Sequence, residues 1–214
     1  MYVPFIYPRD TEPRSFLFLQ GFKVKVAVLI DGGFFLKRYR FIFHDGTALK
    51  PEIVSKRLHT MAFQHCEEKH SGIPVRHDLY RIFYYDSFPF SKKSHNPITK
   101  KAIDFLKTPV AQFRLQLFEE LKKKRKVALR LGFLKESGYW EIRPEKVKAL
   151  LRREITINQL QENDVFYDLK QKGVDIRIGL DIASLALKSL LIKSSLFPGI
   201  QILCLRQKSL AVKG

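Results

Sequence analysis

Apolar positions in the first half of the chain gather into two compact runs. Val24, Val26, Ala27, Val28, Leu29 and Ile30 form the first. The run is rich in β-branched residues and barely alternates, which predicts a strand buried on both faces in a parallel sheet. Asp31, Gly32 and Gly33 end it, and residues 34–39 read as the start of a helix. Residues 51–69 carry apolar side chains at helical spacing (Ile53, Val54, Leu58, Met61, Ala62, then His65), with Pro51 suited to a first turn. Residues 79–85 are the second apolar run and predict a second strand, closed by Asp86, Ser87 and Pro89.

Farther along, the spacing predicts a helix over 100–124, kinked at Pro109. Residues 127–133 and 139–142 read as a hairpin or two short strands around Gly138. A helix is expected over 163–172, ending at Gly173 as a C-cap. A third strand is expected over 174–178, then a helix over 181–191. This alternation of strand and helix predicts an α/β layer fold with a parallel sheet. Residues 1–22 show no period and several prolines, and read as an irregular extension.

The chain has 214 residues, of which 45% are hydrophobic, enough for the core of one domain. Its 39 Lys and Arg against 21 Asp and Glu leave a net charge of +18. That excess favours polyanionic partners, nucleic acid before anionic membrane. Cys66 and Cys204 are the sole cysteines, too few for a disulfide framework or a zinc pattern, so a reducing compartment is expected. No apolar run reaches the ~20 residues of a membrane helix, and a cytoplasmic protein is the default expectation. The basic run at 122–126 reads as a solvated helix end.

Candidate chemistry begins with Asp31. In open parallel sheets ligands bind beyond the carboxyl ends of strands, and Gly32 and Gly33 permit a tight turn with close ligand approach. The plain alternative is a turn whose Asp merely tolerates it. Asp175 and Asp181 bracket the expected third strand. Asp181 has the ordinary reading of a helix N-cap. Asp175 sits within an apolar stretch, where a carboxylate is costly unless paired or metal-bound. Brought together with Asp31, they would form an acidic cluster whose mutual repulsion a divalent cation relieves. The six histidines make no trusted ligand spacing. Tyr84, Tyr85, Phe88 and Phe90 are able to stack on bases, though core packing is the commoner role. Phosphate-binding and dinucleotide glycine loops and nucleophile elbows are lacking.

These stretches resemble a family. Val26-Ala27-Val28-Leu29-Ile30-Asp31-Gly32-Gly33-Phe34-Phe35 is similar to the opening strand of NYN domains, the LabA-like proteins of PIN-like fold. Gln171-Lys172-Gly173-Val174-Asp175, followed by Gly179-Leu180-Asp181-Ile182-Ala183-Ser184-Leu185-Ala186, resembles their second acidic block, and residues 80–86 their second strand. The resemblance spans about residues 24–188, giving a domain over 23–188. It implies a PIN-like three-layer α/β fold with a central, mostly parallel sheet and a ribonuclease that uses Mg²⁺ or Mn²⁺. Asp31, Asp175 and Asp181 would be the catalytic, metal-holding acids. Lys172 and Arg177, with Lys37 and Arg38, would contact RNA. A non-catalytic RNA-binding or regulatory protein on the same fold is the second reading. A phosphatase-like α/β enzyme using Asp31 is the third. A homo-oligomer is compatible with all three.

The resemblance stops short of the end. The family continues with a strand and the motif S-G-D-S-D-F, whereas residues 189–214 contain no acidic residue. The expected last strand and acidic motif are therefore disrupted. Back-translation offers a cause. One permitted coding of residues 192–205, regrouped by one base, reads D-Q-I-I-L-I-S-G-D-S-D-F-V-P. A frameshift near residues 188–191 is expected to have replaced the motif with an aberrant tail, leaving a weak or inactive nuclease with a sheet one strand short.

Overall fold

The computed structural model describes residues 25–44, 49–70, 73–187, 194–197 and 200–205. The expected extension over 1–22 and the helix end over 188–191 lie outside them. Elements run in the order β1 (Lys25–Asp31), α1 (Gly32–Ile42), α2 (Pro51–Gln64), β2 (Glu67–His70), β3 (Ile73–Arg76) and β4 (Asp78–Ser87). Then come β5 (Lys93–His95), β6 (Ala102–Asp104), α3 (Pro109–Lys122), β7 (Val127–Ile142) and α4 (Pro144–Leu151). The last described elements are β8 (Val165–Lys172), α5 (Val174–Leu187), β9 (Ser194–Phe197) and β10 (Ile200–Leu205).

The main sheet is mixed, in the order β8-β7-β4-β1-β10-β9. Its centre is parallel: β1 pairs with β4 and β4 with β7. The flanking pairs β7–β8, β1–β10 and β10–β9 are antiparallel. The sheet therefore does not lose a member after α5. β10 pairs with β1, with Ile200 opposite Ile30.

Period-2 geometry sends alternate residues of β1 and β4 to opposite faces. Val26, Val28, Ile30, Ile82 and Tyr84 pack under α1, α2 and α3, against Leu36, Val54, Leu58, Leu117, Phe118 and Leu121. Ala27, Leu29, Phe83 and Tyr85 pack under α5, against Val174 and Leu185. The result is helices on both faces of a sheet, the α/β layering expected.

Several expectations are corrected. The 51–69 helix stops at Gln64, and Glu67 begins a small β2–β3 ribbon. Pro109 does not kink a helix. It opens α3, where its missing N–H costs nothing, and Thr108 caps the end by accepting from the Ala111 N–H. Residues 100–108 form β6 and a 3-10 turn instead. β7 is one strand of 16 residues rather than a hairpin. Gly138, at φ +85°, sits where its register with β8 shifts, between Glu136 and Trp140, by two extra residues on β7.

The largest reversal concerns residues 163–178. The expected helix over 163–172 is strand β8, because β7 offers it a full edge to pair with. The expected strand over 174–178 is the first turn of α5. Gly173, at φ +81°, turns the chain between the two. No helix among the described residues is long and apolar enough to cross a membrane.

Candidate functional site

β1 and β4 lie side by side and parallel, and each ends its apolar run in an aspartate. Asp31 stands opposite Tyr85, so Asp86 lies one residue farther on the neighbouring strand. Asp31 is the N-cap of α1. Its Oδ1 accepts the Phe34 N–H at 3.0 Å, satisfying a donor the helix leaves open. Gly32 is required here by contact: a Cβ would stand 2.5 Å from the Tyr84 ring and hydroxyl and 2.7 Å from the Tyr85 carbonyl.

Asp86 is fully buried. Its Oδ1 takes the Arg114 guanidinium at 3.1 Å and the Ser87 N–H at 2.7 Å. Tyr84 Oη approaches its Oδ2 at 3.5 Å. Burial raises the Asp86 carboxyl above the usual carboxylate range and the nearby Asp31 charge adds to the rise, while Arg114 and the Ser87 N–H oppose it. Burial likewise pushes the Tyr84 hydroxyl well up, and the Asp86 charge adds to it. Arg114 thus stands as the counter-ion without which a buried carboxylate at this place would be very costly.

The other face carries its own acid. Asp181, on the sheet-facing side of α5, accepts from Tyr85 Oη at 2.8 Å and from Arg130 Nε at 2.9 Å. Burial, then the Asp181 hydrogen bond, pushes the Tyr85 hydroxyl far up. Arg130 also lies over the Phe83 ring, 5.2 Å from its centroid.

Asp31 is at the carboxyl edge as expected. Asp175 is not inside a strand; it lies exposed in the first turn of α5. Its placement carries no desolvation cost, and the acid suits the positive end of the helix. Asp181 is not an N-cap. It lies mid-helix, six residues on, where the two side chains leave the axis about 120° apart. The described residues contain no group of three His, Cys, Asp or Glu able to hold a metal ion. Lys172 and Arg177 are exposed on either side of the Gly173 turn, and Lys37 and Arg38 are exposed on α1.

α5 starts at the same end of the sheet. Gly132, opposite Ser87 in the β4–β7 register, would place a Cβ 2.4 Å from the Lys172 carbonyl and 2.9 Å from Val174. The first turn bearing Asp175 and Arg177 therefore rises beside the carboxyl end of β4. Asp31 and Asp86 end neighbouring strands there, and α5 begins beside the next strand over, at Gly132.

Asp86 is the acid sequence reasoning missed as a site residue. The signal was present: an apolar strand that stops at an aspartate, the same feature that singled out Asp31. Of the four aromatics considered for stacking, Tyr84 and Tyr85 are core, Phe88 is about half exposed, and Phe90 is partly buried. Compared with known proteins, the chain matches no family model, no curated protein and no solved structure.

Proposed function

We propose that this chain is an NYN-type, PIN-like ribonuclease framework that acts on RNA phosphodiesters with Mg²⁺ or Mn²⁺, impaired here by loss of its last acidic motif. The observation that carries the reading is the Asp31–Asp86 pair at the carboxyl ends of two adjacent parallel strands, on a chain of net charge +18. Two like charges at one edge are what a divalent cation relieves, and Mg²⁺ is held by one or two carboxylates with several waters. Asp31 would be the accessible ligand. Asp86 would stand behind it, and Asp175 would join from the α5 turn. Asp86 and Asp181 are each already engaged, Asp86 by Arg114 and Asp181 by Arg130 and Tyr85, so each would meet the ion only by giving up those partners. A bound ion would supply charge stabilisation at a phosphate oxygen and a more acidic water. Lys172, Arg177, Lys37 and Arg38 would meet the RNA backbone as exposed cations.

The tail would account for such an impairment. β10 brings no carboxylate to the edge of β1, because residues 189–214 have none. Its register sets Ile200 opposite Ile30, one residue from Asp31. In the regrouped frame the acids of S-G-D-S-D-F fall at positions 200 and 202. In this register a restored frame would add one carboxylate opposite Ile30, beside Asp31, and a second opposite Val28.

The test has two steps. The gene is sequenced across the codons for residues 186–214; codons that do not regroup to S-G-D-S-D-F end the frameshift reading. Labelled RNA is then incubated with Mg²⁺ or Mn²⁺ and the chain as written, the frame-restored chain, and its Asp31→Asn variant. The restored chain is expected to cleave, the chain as written to cleave weakly or not at all, and Asp31→Asn to abolish cleavage. Undiminished cleavage by Asp31→Asn defeats the assigned role.

The engagement of Asp86 by Arg114 and of Asp181 by Arg130 favours a second reading, a non-catalytic RNA-binding protein on this fold. Salt-dependent RNA binding with no cleavage by either frame would select it.

A further inference from the structure

Beyond the carboxyl end of β4 lies a pocket of about 230 Å³ that the acid pair does not use. Phe90, Phe105, Val110, Leu134 and Leu169 form most of its wall, and Arg114 lines it too. Phe90 and Phe105 meet at 5.3 Å with their planes 67° apart. Both rings line the same space. Tyr167 packs behind both, at 5.8 Å from Phe90 and 5.3 Å from Phe105, and Trp140 packs behind Tyr167 at 5.6 Å. The aromatic wall is thus held from behind rather than free to collapse.

Arg114 supplies the polar element. It joins the pocket to the acid edge, because one of its nitrogens holds Asp86 at 3.1 Å. A guanidinium has five N–H donors. Among the described residues Asp86 is the partner of Arg114 at one terminal nitrogen; the Nε is buried without a partner, and the part of the guanidinium that stays accessible leaves the side chain 23% exposed. Donor capacity is therefore left over on a guanidinium at a wall that is apolar apart from it and Thr108. The pocket suits a flat, neutral ring with hydrogen-bond acceptors on its rim. An aliphatic chain would leave the guanidinium unmatched, and a second anion would compete with Asp86.

We infer that this pocket receives one nucleobase of the RNA strand, stacked against Phe90 and Phe105 with its rim toward Arg114, when the neighbouring phosphate lies at the Asp31–Asp86 edge. The inference rests on the reading given under Proposed function and adds a base-selective subsite to it. Stacking supplies affinity for any base, and the guanidinium prefers bases rich in acceptors.

The test uses the full chain and the four free nucleosides, observed by saturation-transfer NMR on their base protons. Nucleosides carry no phosphate, so neither cleavage nor the basic surface enters the readout. At least one nucleoside is expected to receive saturation on its base protons more than on its ribose. Val110→Phe plugs the pocket from a residue that is 57% exposed on α3, and should weaken that nucleoside roughly 5- to 150-fold, the span a lost base–aromatic stack gives. Phe90→Leu, which keeps bulk but removes the ring, should weaken it by a smaller factor. Thermal unfolding checks that both variants fold, and Phe90→Leu carries the test if Val110→Phe does not. The inference is overturned if no nucleoside binds the wild-type chain, or if the folded variants bind as well as wild type. Base binding without RNA cleavage by the restored chain would remove the ribonuclease reading and leave the pocket. Cleavage without base binding would do the reverse.

Discussion

The two faces of the sheet each hold an aspartate against an arginine near the carboxyl ends of the parallel strands, yet the settings differ. Under α1–α3, Asp86 is fully buried and Arg114 is 23% exposed. Under α5, Asp181 is 20% exposed and Arg130 is 38% exposed. The first face has three helices and a large core; the second has one helix and a small one. A carboxylate that water cannot reach is costly to leave unpaired, because removing its partner strands a desolvated charge. A pair that water reaches is worth little. Stability should therefore concentrate on the α1–α3 face, and the α5 face should loosen first.

The sharpest way to break that contrast is Arg114→Met. It strands the Asp86 carboxylate and is expected to cost about 3–5 kcal/mol of unfolding free energy, read by urea denaturation at neutral pH. A loss near zero would mean that Asp86 is not buried as an ion.

Core truncation comes next. Leu58→Ala or Leu117→Ala, at positions with no exposure, should cost about 2–5 kcal/mol. Leu185→Ala under α5 should fall at or below the lower end of that range, since fewer neighbours surround it. Equal losses would dissolve the asymmetry between the faces.

Glycine replacements probe the two faces at their tight contacts. Gly32→Ala and Gly132→Ala each force an atom inside 3 Å of backbone or a ring, and each should cost about 1–3 kcal/mol. Proteolysis should then open α1 in the first variant and α5 in the second.

The pH dependence of Asp86 is a smaller effect with a definite sign. Its folded value lies above the unfolded value of about 3.9. The stability it contributes is therefore full below the unfolded value and is lost as pH rises through the raised folded value. The stability of wild type relative to Asp86→Asn should decline across that window. A difference that grows with pH would reverse the assignment. Smallest of all, Arg130→Met should change stability by no more than about 1 kcal/mol, because that pair is partly in water.

Much of this was legible in the chain. The run ending at Asp31 and the run ending at Asp86 are long, apolar and closed by turn residues, and both became central strands. Helix α2 was legible from its spacing and Pro51. The stretch over 174–178 was ambiguous, since a short β-branched run reads equally as strand or helix. Yet Val174, Ile178, Ile182 and Leu185 recur at helical intervals, and these are the residues α5 turns toward the sheet.

The sequence by itself determined the alternation of apolar runs and turns, the basic surplus, and two strands that each stop at an aspartate. Those are local properties, set by side-chain chemistry and by period. Only the tertiary structure decided that residues 165–172 are a strand, because a strand needs a partner edge and β7 supplies it from more than twenty residues away. It alone decided that Asp86 and Arg114 meet, and that Asp175 and Asp181 diverge on one helix. Which charges face each other is a question of long-range contact, and burial rather than residue type then sets what each contact is worth.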